Sequence, residues 1–173
     1  MQRTPVSTEV LRMPERFPDA VSQVLSAAGW SQDRNADAQA TEAVAVVEQQ
    51  VGRNGARLQS FEAVDKVLAE FCGVLVVQDG PGVDLRRRPF AFEPSEVAAS
   101  TETLAELGRL LGTRLFPIGL EGDHDSIIAM DESGRVFALD HAGAWFLGDS
   151  IEAALITLIT GTLPPRLDDD GAW

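Results

Sequence analysis

The sequence predicts an α+β fold in which leading helices pack on a mainly antiparallel sheet and a C-terminal helix completes the core. Three observations carry this reading. Three helix-spaced apolar stripes precede the first β-branched run. Two apolar segments, Ser126 to Met130 and Arg135 to Leu139, flank Asp131-Glu132-Ser133-Gly134 as the arms of a hairpin flank its turn. One last helical stripe follows the final strand-like run and stops at Gly161.

The elements follow in order. Residues 1–16 are polar, carry Pro5 and Pro14, and read as a loose lead-in. A domain spanning 17–163 then begins with Val21, Val24, Leu25 and Ala28 at helical spacing, with Pro18 and Asp19 in the first turn and Gly29 at the end. Asp37 is placed to cap a second helix with Ala40, Val44, Val47 and Val51 on one stripe and Gly52 as its stop. Phe61, Val64, Leu68 and Phe71 form a third stripe that ends at Gly73. Val74 to Val77 reads as a strand before the turn formers Asp79-Gly80-Pro81-Gly82, and Pro89 to Phe92 as a short edge strand. Leu104, Leu107 and Leu111 mark a helix ended by Gly112, after which Leu115 to Ile118 is extended. In the hairpin, Gly134 fits the left-handed position of a type I turn with a G1 bulge. Ala144 to Leu147 makes another strand, and Ile151, Leu155, Leu158 and Ile159 the final helix. Residues 164–173, rich in proline and aspartate, read as a disordered acidic tail in which Trp173 is mobile. Trp30 is placed to close the C-terminal cap of the first helix, and Trp145 in the core.

Charge narrows the partners. A formal net charge of −13 surrounds the chain with a negative field, and its only dense basic run is Arg86-Arg87-Arg88. Direct nucleic-acid binding is not expected, because phosphate contacts need clustered lysine and arginine; a basic protein partner suits the surface. Cys72 is the single cysteine, in an apolar setting that predicts a buried, inert thiol. The N-terminus lacks a signal-type apolar segment and no run approaches a membrane span, so the chain reads as cytoplasmic with no membrane partner.

Two stretches could carry chemistry. Gly148-Asp149-Ser150 resembles the wording of GDSL-type hydrolases, but a serine nucleophile needs a histidine base oriented by a carboxylate. Those enzymes carry serine early and Asp-x-x-His late; here His124 and His141 both precede Ser150, which fits a helix N-cap instead. Asp123-His124-Asp125, with His141 across the hairpin, has metal-ligating residue types, but consecutive residues of an extended chain point apart and no H-x-E or H-E-x-x-H pairing occurs. A solvated loop is the expectation there. Gly80-Pro81-Gly82 lacks the lysine and the glycine spacing of a phosphate loop. No catalytic residue, cofactor or metal is assigned.

Several residues taken in order resemble one family. They are Ala28-Gly29-Trp30 with Arg34, Phe71-Cys72-Gly73-Val74, Pro117-Ile118-Gly119, Asp131-x-x-Gly134-Arg135-Val136, and Gly148 with Ala154-Leu155-x-x-Leu158-Ile159-x-Gly161. Together they resemble the third subgroup of the SUKH superfamily, largely bacterial immunity proteins of polymorphic toxin systems. Where that family has a Phe-Gly-Gly-Leu stretch, this chain has Cys72 in place of the first glycine. The resemblance implies an α+β fold and a binding role without chemistry, toward a cognate toxin domain such as a nuclease or deaminase. A scaffold or regulatory module unrelated to toxins is the alternative, and a metal-assisted or serine hydrolase a third. The expected contact surface includes the loop Glu121, Asp123, His124 and Asp125, with Glu93, Glu96 and Glu102 as a rival face.

Overall fold

The computed structural model describes residues 15–173, so the lead-in expected over 1–16 lies outside the described residues save for its last two. Arg16, one of these, is not loose: its guanidinium pairs with Glu70 at 2.6 Å and Glu152 at 2.7 Å, tying two helices together.

The leading helices are α1 (Asp19–Ala27), α2 (Asp37–Glu48) and α3 (Glu62–Phe71). In α1, Val21 and Leu25 face the core and Gly29 turns left-handed at φ 87°. The Gly29 N–H then reaches the Ser26 carbonyl and the Trp30 N–H the Leu25 carbonyl, each at 3.0 Å, the paired bonds of a Schellman ending. Trp30 goes beyond closing that cap. Its ring stacks on Phe71 of α3 at 6.0 Å and meets Phe17 edge-on at 5.3 Å, while its indole N–H donates to Glu70. Arg34 donates to the carbonyls of Glu70 and Cys72, satisfying the C-terminal end of α3.

In α2, Asp37 is the first helical residue rather than the cap, and Asn35 accepts its N–H at 2.9 Å. The helix also stops at Glu48, leaving Val51 exposed beyond it instead of on the buried stripe. After α3, Gly73 takes φ 81° while Cys72 sits at φ −52°, a value open to any L-residue. The departure from a double glycine therefore costs no backbone freedom that the turn uses.

The sheet is a six-stranded antiparallel meander in chain order: β1 (Leu75–Val76), β2 (Phe90–Ala91), β3 (Leu115–Glu121), β4 (Ser126–Asp131), β5 (Val136–Asp140) and β6 (Gly143–Gly148). The segment Pro89 to Phe92, expected at an edge, lies inside: β2 pairs with both β1 and β3, and β1 is the edge. β3 is longer than expected and kinks between Pro117 and Gly119, where the register shifts, which is how a proline fits inside a sheet. Gly119 is obligatory at that kink, since a Cβ there would collide with the Ala91 carbonyl of β2.

Between β2 and β3 run a 3₁₀ segment, Pro94–Ser100, that sequence spacing did not reveal, and α4 (Thr101–Leu111), ended by Gly112 in the left-handed conformation. The last helix, α5 (Ile151–Thr160), starts at Ser150, whose hydroxyl accepts the Ala153 N–H at 3.2 Å. At its other end the Gly80-Pro81-Gly82 loop leads into a cap for the helix, in which the N–H groups of Val83, Asp84 and Leu85 donate to the carbonyls of Thr160 and Gly161. Buried side chains from α1 to α5 and from every strand join one apolar cluster that includes Leu25, Val47, Phe71, Ile118, Met130 and Leu155.

The far edge of the sheet departs from expectation at two tryptophans. Residues 164–173 are packed rather than disordered: residues 165–167 pair with β6, Leu167 is buried, and the Trp173 ring stacks on Phe146 at 4.5 Å. Acidic composition is outweighed by Leu167 and Trp173, which find apolar surface on the sheet. Trp145, expected in the core, is only half-buried, because its side of β6 opens onto a surface cavity.

Candidate functional site

The loop singled out in the sequence is the turn between β3 and β4. Glu121 ends β3, Gly122 turns left-handed at φ 71°, and His124 also takes a positive φ of 62°. A Cβ at residue 122 would meet only the movable end of the Asp125 side chain at 2.9 Å, so it is the left-handed backbone that favours glycine there. His124 has no such exemption, and its left-handed backbone carries a cost of about 1 kcal/mol. Its Nε2 meets the Glu96 carboxylate at 3.2 Å, which anchors the tip to the 3₁₀ segment.

Charge within the loop is unequal. Arg88 donates to Glu121 at 3.2 Å and to Asp125 at 3.4 Å, so one guanidinium serves two of the three carboxylates. Asp123 projects fully into solvent, with only the His124 ring nearby at 3.8 Å. The four residues therefore stay together as one tip, but Asp123 offers its charge most openly. The rival face divides: Glu96 joins the tip through His124, Glu93 accepts from the Ser95 hydroxyl, and Glu102 is drawn away to the Asn54 N–H.

Arg88 and Glu121 also form part of the rim of a cavity of about 380 Å³ between the 82–88 loop, the sheet and the end of α5. Leu85, Trp145, Leu147 and Leu163 supply apolar walls. Sequence reasoning missed it, since the docking of the 82–85 backbone onto Gly161 is a long-range event that no local spacing encodes; the side-by-side glycines 82 and 161, each without room for a Cβ, were its only trace.

The serine and the histidines are separated by the sheet. Both histidines lie in turns at one end of the meander, and Ser150 follows β6 at the opposite end, a strand length of roughly 20 Å away. Ser150 serves as the N-cap of α5. Among the described residues no group of three or more metal-ligating side chains occurs. Cys72 is fully buried, and burial, reinforced by the Glu93 carboxylate, pushes its thiol up to about 11, far from a reactive thiolate. No helix among the described residues is long and apolar enough to cross a membrane.

One family model, described as SUKH-3 immunity protein, matches residues 17–161, from the residue before Pro18 to the glycine that ends α5. No curated protein and no solved structure matches the chain.

Proposed function

We propose that this chain, which belongs to the SUKH-3 immunity protein family, binds a cognate toxin domain in the cytoplasm and blocks its active site or substrate groove without chemistry of its own. The observation that carries the reading is the family match over nearly the whole described chain, and the acidic surface gives it a physical form. A nuclease or deaminase groove that holds phosphate must be positive, and a chain of net charge −13 both steers toward it and competes with its substrate. The contact tip is Glu121, Asp123, His124 and Asp125, extended by Glu96. In that arrangement Asp123 is the leading charge, and Arg88 holds Glu121 and Asp125 in place while lowering the charge they present.

The test is a titration of any toxin-like domain found encoded beside this chain with wild type and with the Asp123→Asn/Asp125→Asn double variant, over a salt series from about 50 to 300 mM. The double variant should bind about tenfold more weakly at low salt, with the gap closing as salt rises. Equal affinity with the wild-type salt slope would remove the tip from the interface. Failure of the wild type to bind any neighbouring toxin domain would remove the immunity reading and favour a scaffold or regulatory module.

A further inference from the structure

The two edges of the sheet are finished differently, and the β6 edge carries a ligand of the chain's own making. Along β6, the Phe146 N–H donates to the Pro165 carbonyl and the Leu167 N–H to the Ala144 carbonyl, both at 2.9 Å, so residues 165–167 lie as a short added strand. Asp168 then closes a turn: its carboxylate accepts the N–H groups of Asp170 and Ala172, and its own N–H reaches the Ala172 carbonyl. That turn returns the chain over the sheet, where the Trp173 ring stacks on Phe146 and meets Phe137 edge-on at 5.8 Å. The Arg135 guanidinium lies 5.4 Å from the same indole.

This attachment is short. It consists of two ladder bonds, an Arg166 guanidinium that donates to the Ala142 carbonyl and lies over the Trp145 ring, one buried leucine, and an indole that packs on Phe146, Phe137 and Arg135 yet remains 46% exposed, all entered through Pro164-Pro165. It also lies wholly outside the family match, which ends at residue 161. β5, on the other side of β6, is by contrast paired along its whole length. Lifting residues 164–173 would free the Phe146 N–H and the Ala144 carbonyl and uncover a bed of Phe137 and Phe146, which together make a site for an extended chain with an aromatic anchor.

We propose that residues 164–173 form a releasable strap over a strand-accepting edge, and that the occupant this edge selects is an extended peptide segment of a protein partner. The strap itself defines the pattern that the edge reads: an apolar residue paired with Ala144, as Leu167 is, and an aromatic ring six positions later, as Trp173 is. The partner segment and the strap compete for the same backbone groups, so binding at this edge is gated by residues 164–173. Such gating is independent of toxin neutralisation and requires no particular partner protein.

The experiment uses the isotope-labelled full chain. In native hydrogen exchange, the amides of Phe146 and Leu167 should exchange at least about 100-fold faster than those of the β4–β5 ladder, through an opening insensitive to low denaturant. The unlabelled peptide TLPPRLDDDGAW, residues 162–173, should shift the Ala144, Phe146 and Phe137 signals saturably. Its affinity should be higher for the full-length Trp173→Ala variant, whose strap competes less, and a peptide with alanine at the tryptophan position should bind at least about tenfold more weakly. Tail amides that exchange only with global unfolding would overturn the proposal on the wild-type protein alone, whatever the variant does. A peptide without effect at millimolar concentration would overturn it too. Concentration-dependent dimers formed by exchange of the segment would assign the edge to a second copy and overturn the partner assignment.

Discussion

The two turns that bound β4 use similar residues for opposite purposes. At one end stands Glu121-Gly122-Asp123-His124-Asp125, at the other Asp131-Glu132-Ser133-Gly134-Arg135, each a short acidic stretch with one glycine and one histidine or arginine. In the second, the Asp131 carboxylate is wholly buried, pairs with Arg135 at 2.6 Å and accepts the N–H groups of Ser133 and Arg135, each at 2.9 Å. In the first, Asp123, His124 and Asp125 are exposed, only Glu121 is partly buried, and the charges meet at distances of 3.2 Å or more. Burial, not charge, separates a turn that holds the sheet from a turn that can face a partner: a carboxylate withdrawn from water must have all its bonds made within the protein, whereas one left in water can exchange them.

The largest expected effect tests the buried turn. Asp131→Ala removes the acceptor of two backbone N–H groups and leaves Arg135 without its partner, and should cost about 3 kcal/mol in chemical denaturation. Asp131→Asn, which keeps one acceptor oxygen, should cost less. Equal small losses for both variants would mean that the turn is held by its backbone alone, and the contrast between the two ends would fail.

A second effect of similar scale has to be kept apart from the turns. Burial raises the Cys72 thiol to about 11, above the unfolded thiol at about 8.5 to 9, so the folded state holds that proton more tightly. The stability this supplies is fully present below about pH 8.5 and is lost as the pH rises through 11, by on the order of 3 kcal/mol. The chain contains no tyrosine and its one lysine, Lys66, is exposed, which leaves the alkaline range to Cys72. Stability measured from pH 8 to 11 should therefore fall in the wild type and stay flatter in Cys72→Ala. Parallel curves would place the titrating group elsewhere, and comparison of the two turns at pH 7 to 8 avoids the effect.

Gly134→Val comes next, at about 1 to 3 kcal/mol. No atom lies within 4 Å of where its Cβ would stand, so the cost arises from the backbone at φ 87° alone. Gly134→Asn should recover much of the loss, because asparagine tolerates the left-handed region better than a β-branched residue does. If valine and asparagine destabilise equally, a contact rather than the turn conformation is at work.

These two turns also show how far the sequence could be read. The Asp131 to Gly134 turn was legible because glycine at a fixed offset between alternating apolar runs is a local signal. Its buried ion pair was not, since nothing in a D-x-x-x-R spacing tells whether the aspartate lies under the sheet or above it. The helices α3, α4 and α5 follow their stripes closely, whereas α2 ends at Glu48 and leaves Val51 exposed beyond it. Strand order escapes local reading in the same way: β2 has only two residues and gains its interior place from β3, more than twenty residues away. Residues 164–173 were misread because composition weighs three aspartates above one leucine and one tryptophan, while the fold rewards the two that find apolar surface. In the candidate site, the tip residues were readable as a solvated acidic loop, but the restraint that Arg88 places on two of its carboxylates depends on the β2–β3 pairing.

The smallest effect belongs to the exposed turn, and it sharpens the comparison most. Asp123 is fully exposed with only a long contact to His124, and Asp125 is largely exposed with one contact of 3.4 Å to Arg88. Exposed pairs of this kind contribute between 0 and about 1 kcal/mol, and asparagine preserves the side-chain shape and the local acceptor. Asp123→Asn/Asp125→Asn also removes two negative charges from a chain of net −13, and the relief of self-repulsion opposes whatever the Arg88 contact supplied. The two terms should leave stability within about 0.5 kcal/mol of wild type, with any gain appearing at low salt and vanishing as salt screens it. A loss above about 1 kcal/mol would show that this turn, like its counterpart at Asp131, is part of what holds the sheet. In that event the binding titration with the same variant could not separate a damaged fold from a lost contact, and Glu96→Gln, which lies on the 3₁₀ segment outside the turn, would become the substitution that tests the surface.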